Sequence, residues 1–240
     1  MKIEICLESA EASLAAQKHG ASRVELCANL QVGGTTPSAG TIFMTRKLID
    51  IPLFVLIRPR GGDFYYNKHE IEQMKYNIQL CKSLGVDGVV IGLLNQDGTI
   101  DTATTKELVD LARPMRVTFH RAFDRCLNPL EALEQLIAIG VDRILTSGQM
   151  PKAMDGISLI TELIEKAGDR LIVLPGSGVN KNNAHKILTI TGAKELHFSA
   201  ARKEQAIDFF QHPNFPVEEY ETVVLDEEKL SGVLTVAKKL

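Results

Sequence analysis

Strand-like and helix-like patterns alternate along this chain through eight successive units, and that alternation constrains its fold more than any single motif. Short apolar runs read as strands at Lys2–Leu7, Arg23–Ala28, Leu53–Arg58, Gly88–Leu93, Arg116–Ala122, Arg143–Ser147, Leu171–Leu174 and Glu195–Ser199. Between them, helical periodicity falls near Glu11–His19, Pro37–Ile49, Lys68–Leu84, Thr102–Arg113, Pro129–Ile139, Asp155–Ala167 and Asn182–Thr191, and a last helix runs from Glu227 to the C-terminus. Parallel strands need a helical crossover, so strict alternation implies a parallel sheet. Eight units in 240 residues predict one (β/α)₈ TIM barrel spanning residues 1–240. A doubly wound open sheet is the alternative; no GxGxxG follows the first strand, and the count of units is eight.

Punctuation supports the same division. Gly20, Gly85, Gly140, Gly168 and Gly192 each sit between a helix and the next strand, where a left-handed glycine can end the helix. His19-Gly20-Ala21, Leu84-Gly85-Val86-Asp87, Ile139-Gly140-Val141-Asp142 and Thr191-Gly192-Ala193 form a weak repeat with the period of a βα unit. The stretch 202–226 departs from this rhythm. It is an extended excursion before the last helix, and its aromatic residues Phe209, Phe210, Phe215 and Tyr220 suit a contact between copies of the chain in a homo-oligomer.

Composition narrows the function. A net charge of −3 offers no electrostatic footprint for nucleic acid. No apolar run reaches membrane-spanning length, and Met1-Lys2-Ile3-Glu4 opens directly as a strand with no signal-peptide pattern. The four cysteines are far apart, with no CxxC pair, which suits a reducing, cytoplasmic setting.

Several strands carry more polarity than a purely structural barrel needs. The first alternates Ile3, Ile5 and Leu7 with Glu4, Cys6 and Glu8; the second alternates Val24 and Leu26 with Arg23, Glu25 and Cys27. The fifth sets Thr118 and His120 against Val117 and Phe119, and the eighth sets His197 and Ser199 against Leu196 and Phe198. Neighbouring side chains on a strand point to opposite faces, and the outer face of a barrel must meet apolar helices. The polar sets are therefore expected in the lumen, where carboxylates and imidazoles must pair with one another or meet a ligand at the mouth.

A set of motifs in order then resembles one family. Ile5-Cys6-Leu7-Glu8-Ser9, Arg23-Val24-Glu25-Leu26-Cys27, Gly33-Gly34-Thr35-Thr36-Pro37-Ser38, Ile57-Arg58-Pro59-Arg60-Gly61-Gly62-Asp63-Phe64, Thr118-Phe119-His120-Arg121-Ala122-Phe123-Asp124, Leu145-Thr146-Ser147-Gly148 and Pro175-Gly176-Ser177-Gly178-Val179-Asn180 together resemble the CutC family over roughly the first 200 residues. The resemblance implies a cytoplasmic barrel concerned with copper homeostasis, binding Cu(I) through cysteines that match Cys6 and Cys27. Thiolates are soft ligands that suit Cu(I). The competing reading of both residues is that they pack as small buried hydrophobes.

Other candidates crowd the strand ends, where this fold places catalytic groups. Arg58 and Arg60 suit a carboxylate or phosphate, or else form internal ion pairs with Glu8, Glu25 or Asp63. Glu8, Glu25 and His120 form a candidate acid–base set, with histidine expected to titrate near neutrality. Arg121, Asp124, Ser147 and His197 join them as candidate ligand contacts at strand ends. Gly176 and Gly178, with Ser199, suit an anion after strands seven and eight, and Asn180 or Asn182 is positioned to cap the next helix. Three readings stay open: a copper-handling protein, a lyase, isomerase or hydrolase acting on a small anionic or phosphorylated substrate, and a non-catalytic binding protein for such a molecule.

Overall fold

A computed structural model describes residues 1–205 and 210–237. Eight parallel strands form a nearly closed barrel in the order β7-β6-β5-β4-β3-β2-β1-β8, with β7 lying beside β8. The strands are β1 (Lys2–Leu7), β2 (Arg23–Leu26), β3 (Leu53–Leu56), β4 (Gly88–Ile91), β5 (Arg116–Phe119), β6 (Arg143–Thr146), β7 (Ile172–Pro175) and β8 (Glu195–Ser199). The helices are α1 (Ala10–His19), α2 (Ala39–Leu48), α3 (Lys68–Ser83), α4 (Thr102–Ala112), α5 (Pro129–Ile139), α6 (Ile157–Ala167), α7 (Ala184–Thr191) and α8 (Glu227–Ala237). This is the (β/α)₈ barrel expected from the alternation.

Four of the strands, β2 to β5, end two or three residues earlier than the apolar runs suggest. The run continues past the last ladder bond: Ile57, Leu93 and Ala122 stay buried after their strands have ended. The barrel rim is thus made of buried, irregular backbone, and Arg58 and His120 project from it.

Side-chain parity sorts the core into two parts. Ile3, Ile5, Leu7, Val24, Leu26, Val55, Val117, Phe119, Leu196 and Phe198 pack with the helices in one continuous apolar cluster. The alternate residues Cys6, Cys27, Phe54, Leu56 and Val90 form a separate small cluster in the lumen. Period-2 alternation has this consequence in a closed sheet.

The repeated Gly-x-x phrase also has a structural role. Its last residue reaches back to the strand of the previous unit and pins that strand's start. Ser22 Oγ accepts from Ile3 N at 3.1 Å, Asp87 Oδ2 from Leu53 N at 2.9 Å, and Asp142 Oδ2 from Val117 N at 2.8 Å. Gly20 supplies the left-handed turn that makes the first such return, at φ 93°. Gly168 has φ 56° and ψ −128°, outside the left-handed helical region expected for it.

The stretch expected to be an extended excursion before the last helix contains a strand pair. Ala201–Gln205 (β9) and Glu221–Leu225 (β10) pair antiparallel as a hairpin. Helix α8 then packs between α1 and α7, burying Leu230, Val233 and Leu234, and so completes the outer ring. Phe210 and Phe215 stand exposed, whereas Phe209 lies outside the described residues, as do Lys238–Leu240 at the expected end of the last helix. Helix α7 begins at Ala184 after Asn183, two residues later than expected. Asn180 instead accepts from Asn182 N through Oδ1 at 2.9 Å, tightening the loop after β7.

Candidate functional site

The lumen is layered from bottom to mouth. At the bottom, Arg23, Arg143 and Glu195 open β2, β6 and β8, and all are buried. Arg23 Nε donates to Glu4, its Nη2 donates to Glu195 at 2.6 Å, and Arg143 Nε donates to the same Glu195 oxygen at 3.1 Å. Both guanidinium groups also rest on the Phe54 ring, at 4.9 and 5.3 Å from its centroid. Gly88 makes room for that ring: a Cβ there would stand 2.5 Å from it. Charge is thus compensated within this buried layer, as buried ions require.

Above this layer lies the thiol pair. Cys6 on β1 and Cys27 just past β2 approach to 3.2 Å between sulfurs, and neither is in a disulfide. His197 Nδ1 lies 2.8 Å from Glu4 Oε1 and 3.4 Å from Glu25 Oε2. Burial opposes charge on Glu4, yet Arg23 and His197 hold its carboxyl down at about 2. Burial likewise opposes charge on His197, but hydrogen bonding to Cys6 and Glu4 raises it well above the ordinary histidine value, which favours the imidazolium. The hydrogen bond from Cys27 brings the Cys6 thiol down to about 6, with His197 adding to the effect. Burial and the Cys6 charge push Glu25 well up, and burial with the bond to Cys6 pushes Cys27 up. These shifts favour the thiolate on Cys6 and the thiol on Cys27, across their 3.2 Å contact. Cys6, Cys27 and Glu25 offer ligand atoms within 4.8 Å of one another, as do Glu4, Glu25 and His197.

The mouth is a pocket of about 390 Å³, in the range of small-molecule sites. Its wall includes Cys6, Glu25, Cys27, Arg58, His120, Arg121, Gly178, His197 and Ser199, nine of the residues singled out from the sequence. His120 departs from its expected chemistry. Burial, and then the nearby Arg58 charge, hold the imidazole down at about 3, so it is neutral across the physiological range and does not titrate near neutrality. Its Nδ1 accepts from Ala122 N at 3.1 Å, which places the proton on Nε2. Gly92 at the end of β4 creates the space for the ring, since a Cβ there would lie 2.3 Å from it.

The other expected site residues lie outside the pocket wall. Glu8 accepts from Leu30 N at 2.9 Å and ties the loop after β2 to β1. It is therefore not placed to act with His120. Arg60 turns outward to Glu70 at 2.7 Å and Asp63 at 2.9 Å, so only Asp63 of its proposed carboxylate partners is met. Asp124 is a loop anchor, accepting from Thr146 Oγ1, Ser147 N and Gln149 N, with Arg121 Nε donating to it at 2.7 Å. Ser147 is buried and held by Asp124 and Arg121. Gly176 leaves space for Leu145 and His197, which a Cβ would meet at 2.6 and 3.2 Å. Arg58 lines the pocket, but its terminal nitrogens are occupied by the carbonyls of Val32, Gly34 and Gly62.

Two groups escaped the sequence reading. Arg143 and Glu195 were legible in principle, because Glu195-His197-Ser199 and Arg143-Leu145-Ser147 follow the same i, i+2 parity as the recognised lumen residues. Lys229 on α8 also lines the mouth, and no local pattern marks it, since only the packing of α8 brings it there.

Comparison with known proteins places the chain in a family of the same fold. The CutC family model matches residues 1–202. The chain is 48% identical to the protein CutC of Parabacteroides distasonis over 239 residues, covering 97% of this chain and 98% of the relative. It is 42% identical to the human copper homeostasis protein cutC homolog, covering 99% and 89%. Among solved structures it resembles CutC of Streptococcus agalactiae, with a TM-score of 0.79, 35% identity and coverage of 82% and 98%. Phosphoribosylanthranilate isomerase of Thermotoga maritima aligns at a TM-score of 0.61 and 12% identity over the whole of both chains, a likeness of fold alone.

Proposed function

The chain belongs to the CutC family, and on that premise we propose that it serves copper homeostasis in the cytoplasm by holding Cu(I) as cargo between Cys6 and Cys27. The observation that carries this reading is the 3.2 Å approach of two unoxidised sulfurs in the wall of an open pocket. The hydrogen bond from Cys27 brings the Cys6 thiol down to about 6, and soft sulfur donors favour Cu(I) over harder divalent ions.

The fit has a definite mechanical requirement. Metal–thiolate bonds of about 2.3 Å place two sulfurs roughly 3.8 Å apart at a tetrahedral angle and about 4.6 Å apart in a line. The pair must therefore open by roughly 0.6–1.4 Å. The Cys27 proton must also leave, because the metal displaces the S–H···S⁻ hydrogen bond. His197 stays beside Cys6 and continues to favour its thiolate, while Glu4 holds the imidazole. The four free cysteines and the absence, among the described residues, of any helix long and apolar enough to cross a membrane support the cytoplasmic placement.

Competition with a Cu(I) chelator under reducing conditions tests this reading. One ion per chain is expected, with affinity strongly reduced in Cys6→Ser and in Cys27→Ser and with Zn²⁺ a poor competitor. Wild-type affinity in both variants refutes it and leaves the cysteines as packing.

A further inference from the structure

The thiol pair occupies one corner of the mouth, between β1 and β2, and an ion there fills a small part of about 390 Å³. Elsewhere in the same wall, two buried N–H donors have no partner among the described residues: Nε2 of His120 and Nε of Arg58. Neither belongs to a loose side chain. His120 is 6% exposed and Arg58 4%. The Ala122 amide fixes the imidazole tautomer from one side, leaving Nε2 as the donor. Three backbone carbonyls hold the guanidinium terminus at 2.7–3.0 Å, leaving Nε as its unmet hydrogen-bonding atom. Phe64 spaces the two groups, its centroid lying 4.9 Å from that of His120 and 5.0 Å from Arg58 Cζ.

Charge at the mouth points the same way. Arg58, Arg121 and Lys229 all line the pocket, and Lys229 makes no ion pair among the described residues. The one carboxyl group in the wall, Glu25, faces His197 rather than open space. Two residues of the wall thus carry buried N–H groups that no hydrogen bond among the described residues meets, with Lys229 as an unpaired cation in the same wall. Buried polar groups in native structures are nearly always satisfied, so an unmet pair on residues that line a cavity points to a ligand there.

We infer that the mouth is a binding site for a small organic anion, a carboxylate or a phosphate monoester, whose oxygens accept from His120 Nε2–H and Arg58 Nε–H. An amine would leave both N–H groups unanswered. An apolar ligand would bury them unpaired. The site shares its pocket with the cysteines but not its residues, so it goes beyond the copper reading and does not depend on it.

Thermal unfolding and calorimetric titration with malonate and with glycerol 1-phosphate test the site, with sodium chloride at matched ionic strength as the reference. Saturable binding of at least one probe beyond the chloride effect is expected, and the two arms separate the carboxylate class from the phosphate class. His120→Leu is expected to weaken that binding about tenfold, the worth of one good hydrogen bond. Lys229→Glu, a half-buried substitution at the rim that leaves the core intact, is expected to weaken it several-fold and carries the test if His120→Leu does not fold. Cys6→Ser is expected to bind the anion as wild type does while losing Cu(I), so the two readings can fail separately. Absence of binding beyond chloride by both probes, or wild-type binding in His120→Leu and Lys229→Glu, overturns the inference.

Discussion

His120→Leu gives a direct measure of how dry the mouth is. An imidazole in an unfolded chain takes up its proton near pH 6.5, whereas burial and the Arg58 charge hold the folded group down at about 3. Between those values the unfolded state binds more protons, so stability falls as pH falls through that window. The slope from this one group is about 1.4 kcal/mol per pH unit, which amounts to about 2 kcal/mol between pH 7 and pH 5. Leucine at this position has no proton to gain. The substitution also carries an offset, since Ala122 N loses the acceptor it has at 3.1 Å, worth about 1–3 kcal/mol. That offset is independent of pH and cancels when the two proteins are compared across pH. Urea unfolding of both at about pH 7, 6 and 5 should therefore show the wild type losing about 2 kcal/mol more than the variant. In a chain of this length that corresponds to a difference of roughly 4–8 °C in Tm. Parallel stability curves, with a difference constant to about 0.5 kcal/mol, would show that His120 titrates alike in both states and that the pocket floor is wet.

Two further substitutions probe the lumen. Arg23→Met leaves Glu4 and Glu195 with Arg143 as the remaining guanidinium of the bottom layer, and should cost about 3–5 kcal/mol in denaturant unfolding; a loss below about 1 kcal/mol would mean the network relaxes freely. Gly92→Ala puts a Cβ 2.3 Å from the His120 ring and 2.9 Å from Ala122 Cβ, so overpacking of about 1–3 kcal/mol is expected, and unchanged stability would refute the tight fit of the imidazole against β4.

The architecture was legible because two periodicities coincide in this chain. Helical stretches alternate with strands eight times, and within strands the apolar residues fall on one parity, which fixes the outward face. The same parity located Cys6, Glu25, Cys27, His120, His197 and Ser199 in the lumen. What it could not supply was distance across the barrel or the state of each proton. Glu8 shares its parity with Cys6, yet it sits one pleat beyond the strand and bends to an amide of the next loop. Arg58 and Arg60 look equivalent around Pro59, but only Arg58 is buried, while Arg60 pairs outward with Glu70. His120 reads as a neutral-pH titrator until its burial is known. The hairpin β9–β10 was hidden because its strand Ala201–Gln205 reads Ala-Arg-Lys-Glu-Gln, four of them exposed polar residues that carry no apolar alternation.

The stacked arginines on Phe54 make the barrel a cup rather than a tube. With the lower end closed by buried ion pairs stacked on Phe54, whatever reaches the sulfurs comes past the rim that His120, Arg58 and Lys229 surround. Entry and exit then compete for one doorway, and an occupant lodged at the rim corks the thiols beneath it. Delivery of a metal and its withdrawal by a chelator should both slow while such an occupant is seated, so traffic through the cup would follow an order even though its two compartments never touch the same atoms.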